Sequence, residues 1–298
     1  MKKLILLFTG VTFLFSIGIA QDFSISKSFP GITNVKVEAG FLDVQVVGGA
    51  SGSVNLRGEI DGDADDYQIR YDMNGKTLKV WVESPRFSFR SVDGFIKLEI
   101  PNKGDYNIQT SSGKMEVRDV NASDMKFSTT SGSMQAANLS GTGQLISTSG
   151  SIRFSDSNGD FKVSSTSGSI RTNGFRGSLT ASSTSGSSYF DGVDGNLKAI
   201  SSSGSINLEQ VNAQLDLQSS SGSIKGEMVR IDDDCRLNTS SGGIRLDLVN
   251  DLDQLSFNCS ASSGRIKVGN LAQGQNVVLN NGGPKITAVS SSGGQQYY

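Results

Sequence analysis

The chain has 298 residues, with 27 Lys plus Arg against 29 Asp plus Glu and a net charge of −2. It contains no His, which excludes Ser-His-Asp and Cys-His catalysis, His-ligated zinc and imidazole general bases. Gly stands at 36 and Ser at 48 against only 4 Pro, yet 36% of the residues are hydrophobic and the charge is nearly balanced, unlike a disordered linker.

In chain order, Met1-Lys2-Lys3 opens positively, Leu4 to Phe15 is apolar, and Gly18-Ile19-Ala20 places small residues where a signal peptidase cuts. Residues 1–20 are read as a signal peptide, because the run is too short for a membrane span of about 20 residues. Without them 25 basic and 29 acidic residues remain, a net charge of −4, which points away from nucleic acid as a partner. No later segment reads as a transmembrane span. The expected product is exported, to the periplasm, the cell surface or the medium.

Residues 21–108 read as an N-terminal β cap with the first coils. Val35-Lys36-Val37, Val44-Gln45-Val46 and Val54-Asn55-Leu56 alternate as strands do, with Gly48-Gly49 between the last two. Tyr67 to Met73 and Lys76 to Glu83 flank Asn74-Gly75, a hairpin signal. Phe95 to Ile100 adds a strand closed by Pro101.

From residue 109 to 289 a repeat takes over. Ser-Ser-Gly or Thr-Ser-Gly returns with its Gly at 113, 132, 150, 168, 186, 204, 222, 242 and 264, mostly 18 residues apart. Two residues after the Gly stands an apolar residue in all but one unit, Ser188 being the exception. Seven and five residues before the next Gly come further apolar residues, such as Leu179 and Ala181. This period of two gives two short strands per unit. Such a unit cannot bury a core alone but can when stacked, so the predicted fold is all-β, a single-stranded β-solenoid of about 18-residue, two-strand coils. Nine or ten coils at about 4.8 Å each would form a rod about 45 Å long. The corner glycine is expected to serve by taking φ > 0, and residues 290–298 are expected to be a flexible tail.

Cys235 and Cys259 fall on inward positions of what read as adjacent coils, two residues out of step. That puts their Cα atoms roughly 8 Å apart, so buried free thiols are expected rather than a disulfide.

The mature chain resembles the bacterial envelope family of putative adhesins built from β-strand repeats, which carries a domain of unknown function. The stretch Val35-Lys36-Val37-Glu38-Ala39-Gly40-Phe41-Leu42-Asp43-Val44 and the recurrent Thr/Ser-Ser-Gly-Ser-Ile units carry the likeness. The resemblance implies an exported, non-enzymatic β-solenoid and brings no catalytic residues or cofactors.

Three residues after the repeat Gly, on the outward face, Arg153, Arg171, Lys225, Arg245 and Lys267 would form a basic column able to grip an anionic polymer. Asp191, Glu209, Glu227 and Asp247, two residues further on, would pair with it if the face were merely solubilising. Asp61, Asp63 and Asp65 have the spacing of a calcium loop, but Asp66 replaces its turn Gly and Asp72 its bidentate Glu, so a solvated acidic loop competes. A rank of outward Ser and Thr two residues before each Gly is flanked too irregularly for ice binding. The expected function is a non-enzymatic envelope binding or structural module, an adhesin whose partner is a cell-surface glycan or an envelope protein. The alternatives are a β-helix polysaccharide lyase or hydrolase, for which the short turns build no cleft, and an envelope-stress scaffold that binds a surface protein.

Overall fold

The computed structural model describes residues 23–61, 67–84 and 92–298, so the expected signal peptide lies outside the described residues. The architecture is the all-β solenoid that the repeat implies. In a typical coil, Ile170 and Thr172 leave the corner facing inward, and Leu179, Ala181 and Ser183 approach the next corner the same way, all buried. Each strand pairs in parallel, in register, with its counterpart one coil away: Ile152 with Ile170, Ile170 with Ser188, Ser188 with Ile206. Like residues therefore stack. Strands leading into the Ser-Gly corners form one face, here the pre-corner sheet, and strands leaving them form the post-corner sheet. Between the sheets lies a continuous apolar core, in which Phe154, Phe161 and Phe175 pack with ring centroids 4.9–6.1 Å apart.

The corner glycines serve a purpose other than the expected one. None of the nine has positive φ. Each instead presses its Cα against the backbone one coil below: a Cβ on Gly150 would lie 1.8 Å from the Gly132 carbonyl oxygen, and one on Gly168 would lie 2.0 Å from that of Gly150. Close approach, not conformational freedom, excludes a side chain there. The left-handed residue comes six positions later, at Asp119, Asn138, Asp156, Gly174, Gly192, Gln210 and Met228, with φ of 50–66°. Asn, Asp and Gly tolerate that conformation best and fill five of the seven places.

Inside the corner runs a ladder of buried hydroxyls, including Thr110, Thr129, Ser147, Ser165, Ser183, Ser201, Ser219, Thr239 and Ser290. Ser165, Ser201 and Ser219 accept from the corner Gly N–H at 2.9–3.0 Å, which satisfies a donor that no strand reaches. Thr129, Ser147 and Ser183 find no partner.

Chain order and spatial order part company at both ends. The first coil, Asn34–Glu38 with Asp43–Ala50, lies between Thr77–Glu83 with Asp93–Pro101 on the outside and Asp105–Thr110 with Met115–Arg118 on the inside. At the other end Lys285–Ser290 and Gln295–Tyr297 slide between the coil of Cys235–Thr239 and Ile244–Leu248 and that of Ser256–Ala261 and Ile266–Val268. Residues 290–298 are thus not a flexible tail. They supply a tenth Ser-Ser-Gly corner, with Gly293 wedged between Gly242 and Gly264. Twelve parallel layers result, a stack about 53 Å long at the usual strand spacing.

Antiparallel strands cover each end. Gln68–Asn74 pairs with Thr77–Glu83 through the expected Asn74-Gly75 turn, and Ser53–Asp61 lies on Asp93–Pro101. Ala272–Gly274 and Asn276–Leu279 cover the far end. Such short, antiparallel finishing strands blunt the edge that an open parallel stack would offer to other chains.

The inserted coil also separates the cysteines. Cys235 aligns with Ile286 and that with Phe257, so two coil steps, not one, divide Cys235 from Cys259. Both are buried free thiols. Burial pushes each thiol up to about 11 from its ordinary 9.0. Neither is therefore expected to react measurably with an aromatic disulfide reagent at pH 8 until the protein is denatured. Because the native state holds these protons more tightly than the unfolded chain, their contribution to stability is complete below pH 9 and falls as pH rises towards 11. Denaturant midpoints recorded across that range check the sign.

Candidate functional site

The alternation that buries the second and fourth residues after a corner glycine turns the third outward. In-register stacking then places these residues one above another. The post-corner column runs Glu116, Gln135, Arg153, Arg171, Tyr189, Asn207, Lys225, Arg245. It continues through Gln296 to Lys267. Arg153 and Arg171 are therefore neighbours, as are Lys225 and Arg245. Lys267 is set one layer further from Arg245 than chain order implies, because the C-terminal strand intervenes. At the other end the column extends from Glu116 through Gln45 to Lys97 and Arg57, residues that no Ser-Gly spacing could align.

The five expected cations are exposed and form no ion pair among the described residues. The pairing with Asp191, Glu209, Glu227 and Asp247 that a solubilising face would show is not made. Asp191 accepts instead from Asn173 Nδ2 at 2.9 Å. Two of the three arginines rest on aromatic rings. The Arg171 guanidinium lies 4.4 Å from the Tyr189 ring centroid, and Arg245 lies 5.1 Å from that of Tyr298, donating from Nε to its hydroxyl at 2.8 Å. Such stacking holds the cationic heads extended along the face while leaving their remaining N–H donors free. Where the column breaks between Tyr189 and Lys225, small Asn207 and Gly226 leave a shallow depression of about 210 Å³ edged by Glu209 and Glu227.

Asp61 closes the strand Ser53–Asp61, while Asp63 and Asp65 lie outside the described residues. The hydroxyl rank Ser111, Thr130, Thr148, Thr166, Thr184, Ser202, Ser220 and Ser240 is exposed along the corner ridge. The column beside it mixes Ser128 and Ser164 with Ile146, Ile200 and Gln218, so no regular two-rank lattice of hydroxyls forms.

The residues six positions before the corner glycines form a second outward column, on the pre-corner sheet, whose cations are not among those expected. It carries Lys126, Lys162, Lys198 and Arg236, with Lys36 brought into line by the displaced first coil.

Among curated proteins no relative matches this chain. Solved structures of similar outline include a putative lipid binding protein from Parabacteroides distasonis, 14% identical at a TM-score of 0.38, covering 93% of this chain and 96% of that one. Putative adhesins from Parabacteroides merdae and Bacteroides fragilis are 10% and 11% identical, at TM-scores of 0.32 and 0.31. They too cover 93% of this chain, and 96% and 98% of their own. The sequence profile of one family, described as Toastrack DUF4097, matches residues 32–189 and 191–294, nearly the whole described solenoid, and the chain belongs to that family.

Proposed function

We propose that this Toastrack chain is an exported, non-catalytic binding module of the bacterial envelope, an adhesin that holds an anionic polymer along Arg153, Arg171, Lys225, Arg245 and Lys267. The observation that carries the reading is that these exposed cations share one straight column and make no ion pair among the described residues. A rod of stacked coils fixes their spacing before the ligand arrives. Many weak contacts then add without each one having to be ordered separately.

The test is retention of the purified protein on immobilised polygalacturonate, a polymer with a carboxylate on every sugar, as salt is raised. Exposed contacts contribute roughly 0.2–1 kcal/mol each, so five acting together give at least about a fivefold affinity. Replacing all five by Gln is expected to weaken binding by that factor and to flatten its salt dependence. Unchanged retention of the five-fold variant would remove this column as the site.

A further inference from the structure

We infer that the pre-corner sheet is a second and distinct binding surface, for an acidic polysaccharide bearing one anionic group on every second sugar. Its outward column reads, layer by layer, Lys36, Asn107, Lys126, Gln144, Lys162, Thr180, Lys198, Asp216, Arg236. From Lys36 to Arg236 a cation stands on every second coil, and between successive cations stands a side chain that hydrogen-bonds without positive charge; outside Lys36 the column ends in Lys79, whose Nζ lies 3.5 Å from Glu38 Oε1. With coils about 4.8 Å apart, the cations repeat about every 9.6 Å. A pyranose in an extended β-linked chain advances the polymer by close to one coil spacing. One cation per two coils therefore matches one carboxylate per disaccharide, and Asn107, Gln144 and Thr180 fall opposite the uncharged sugars.

The surroundings select against a denser polyanion. On one side of the ladder the next column is neutral beyond Glu38, running Gln109, Ser128, Ile146, Ser164, Ser182, Ile200, Gln218 and Asn238. On the other side stand Asp105, Asp124 and Asp160, which can accept from sugar hydroxyls but would repel a phosphate on every unit. A nucleic acid or an anionic bilayer offers no such alternation of charged and hydroxyl-rich units.

The ladder is open to a ligand. Its five cations are exposed, and Lys36, Lys126, Lys162 and Arg236 form no ion pair among the described residues. Two depressions lie along it, one of about 360 Å³ beside Lys36, Asn107 and Lys126, the other of about 550 Å³ beside Lys198, Asp216 and Arg236. Lys198 is the member already engaged, its Nζ lying 3.3 Å from Asp216 Oδ2. Asp216 takes the place of a neutral residue in the pattern and so weakens the site at that end.

The experiment measures binding of the folded full-length protein to hyaluronan, which has one carboxylate per disaccharide, and to polygalacturonate, which has one per sugar. Duplex DNA and phosphatidylserine vesicles are run at equal charge concentration. The combined variant Lys36→Gln, Lys126→Gln, Lys162→Gln, Lys198→Gln is expected to lose hyaluronan binding at least tenfold while keeping the native circular dichroism. The five-fold post-corner variant should keep hyaluronan binding within about twofold, and Asp216→Asn should tighten it several-fold. The inference is overturned if the unaltered protein does not bind hyaluronan, if the ladder variant binds it as well as the parent, or if the five-fold post-corner variant binds polygalacturonate, DNA or vesicles more tightly than hyaluronan. The post-corner reading fails separately, when its own variant retains every polymer.

Discussion

Deleting residues 284–298 is expected to destabilise the far end of the solenoid by more than about 5 kcal/mol and to expose residues 249–283 to protease. The deletion removes a whole layer from between two others. Ile286, Ala288, Ser290, Gln295 and Tyr297 are all buried, and full burial of a side chain such as Ile or Tyr contributes about 1.5–3 kcal/mol. The backbone of the segment is bonded on both sides: Ile244 N–H donates to the Gly294 carbonyl at 3.0 Å, and Gln295 N–H to that of Arg265 at 3.0 Å. Tyr297 packs on Phe257 with centroids 5.4 Å apart and donates its hydroxyl to Gln295 Oε1 at 3.0 Å. Gln295 Nε2 in turn donates to the Ser260 carbonyl at 2.8 Å. Tyr297→Ala alone should cost about 3–5 kcal/mol, the usual range for removing a buried aromatic ring. Because solenoid layers are stabilised mainly by their neighbours, amide protection across residues 121–201 should survive the deletion. A melting curve and a proteolysis pattern like those of the intact chain would mean that the segment is the dispensable tail its polar, Gly-rich sequence suggests.

That segment shows where a sequence reading of this fold stops. Strand positions, the two-strand coil and the inward residues were all legible, because a period of two inside a period of 18 leaves little freedom in assigning sides. Layer order was not. Every coil presents the same kind of edge, so nothing in Ser290-Ser291-Ser292-Gly293-Gly294 says which two coils it enters. Asn34–Glu38 likewise has no local feature marking it as the second layer rather than the first. Chain order alone therefore gives a stack two or three layers short, puts the cysteines one coil too close and sets Lys267 next to Arg245.

The same limit governed the candidate site. Arg153, Arg171, Lys225 and Arg245 could be aligned because each follows a Ser-Gly corner by three residues. Lys97 and Arg57 extend that column but follow no such corner, and only the observed register joins them to it. Lys126, Lys162 and Lys198 were alignable, since each precedes a corner by six, and counting backward would have found them. Lys36 was not, because it reaches the ladder through the displaced first coil.

The corner glycines give the sharpest test of what holds the layers at their spacing. Gly168→Ala is expected to cost more than about 3 kcal/mol, beyond the 1–3 kcal/mol typical of an overpacked core. Its Cβ would meet the Gly150 carbonyl oxygen at 2.0 Å, the carbonyl carbon at 2.5 Å and the Ser151 nitrogen at 3.0 Å, all backbone atoms of a paired strand that cannot swing aside as a side chain would. Relief requires lifting one coil off the next, which stretches the parallel hydrogen bonds on both sheets. Gly75→Ala, at φ +58 with nothing within 4 Å, separates the two reasons for glycine: there only the left-handed backbone is penalised, at about 1–2 kcal/mol. Ser167→Ala, on the exposed ridge beside Gly168, should change stability by less than about 0.5 kcal/mol. If Gly168→Ala proves as mild as Gly75→Ala, the stacked-backbone account of the Ser-Gly repeat is wrong. If it is severe, coupling between layers should fail at that point, and one cooperative unfolding transition should divide into two, one for each side of the altered corner.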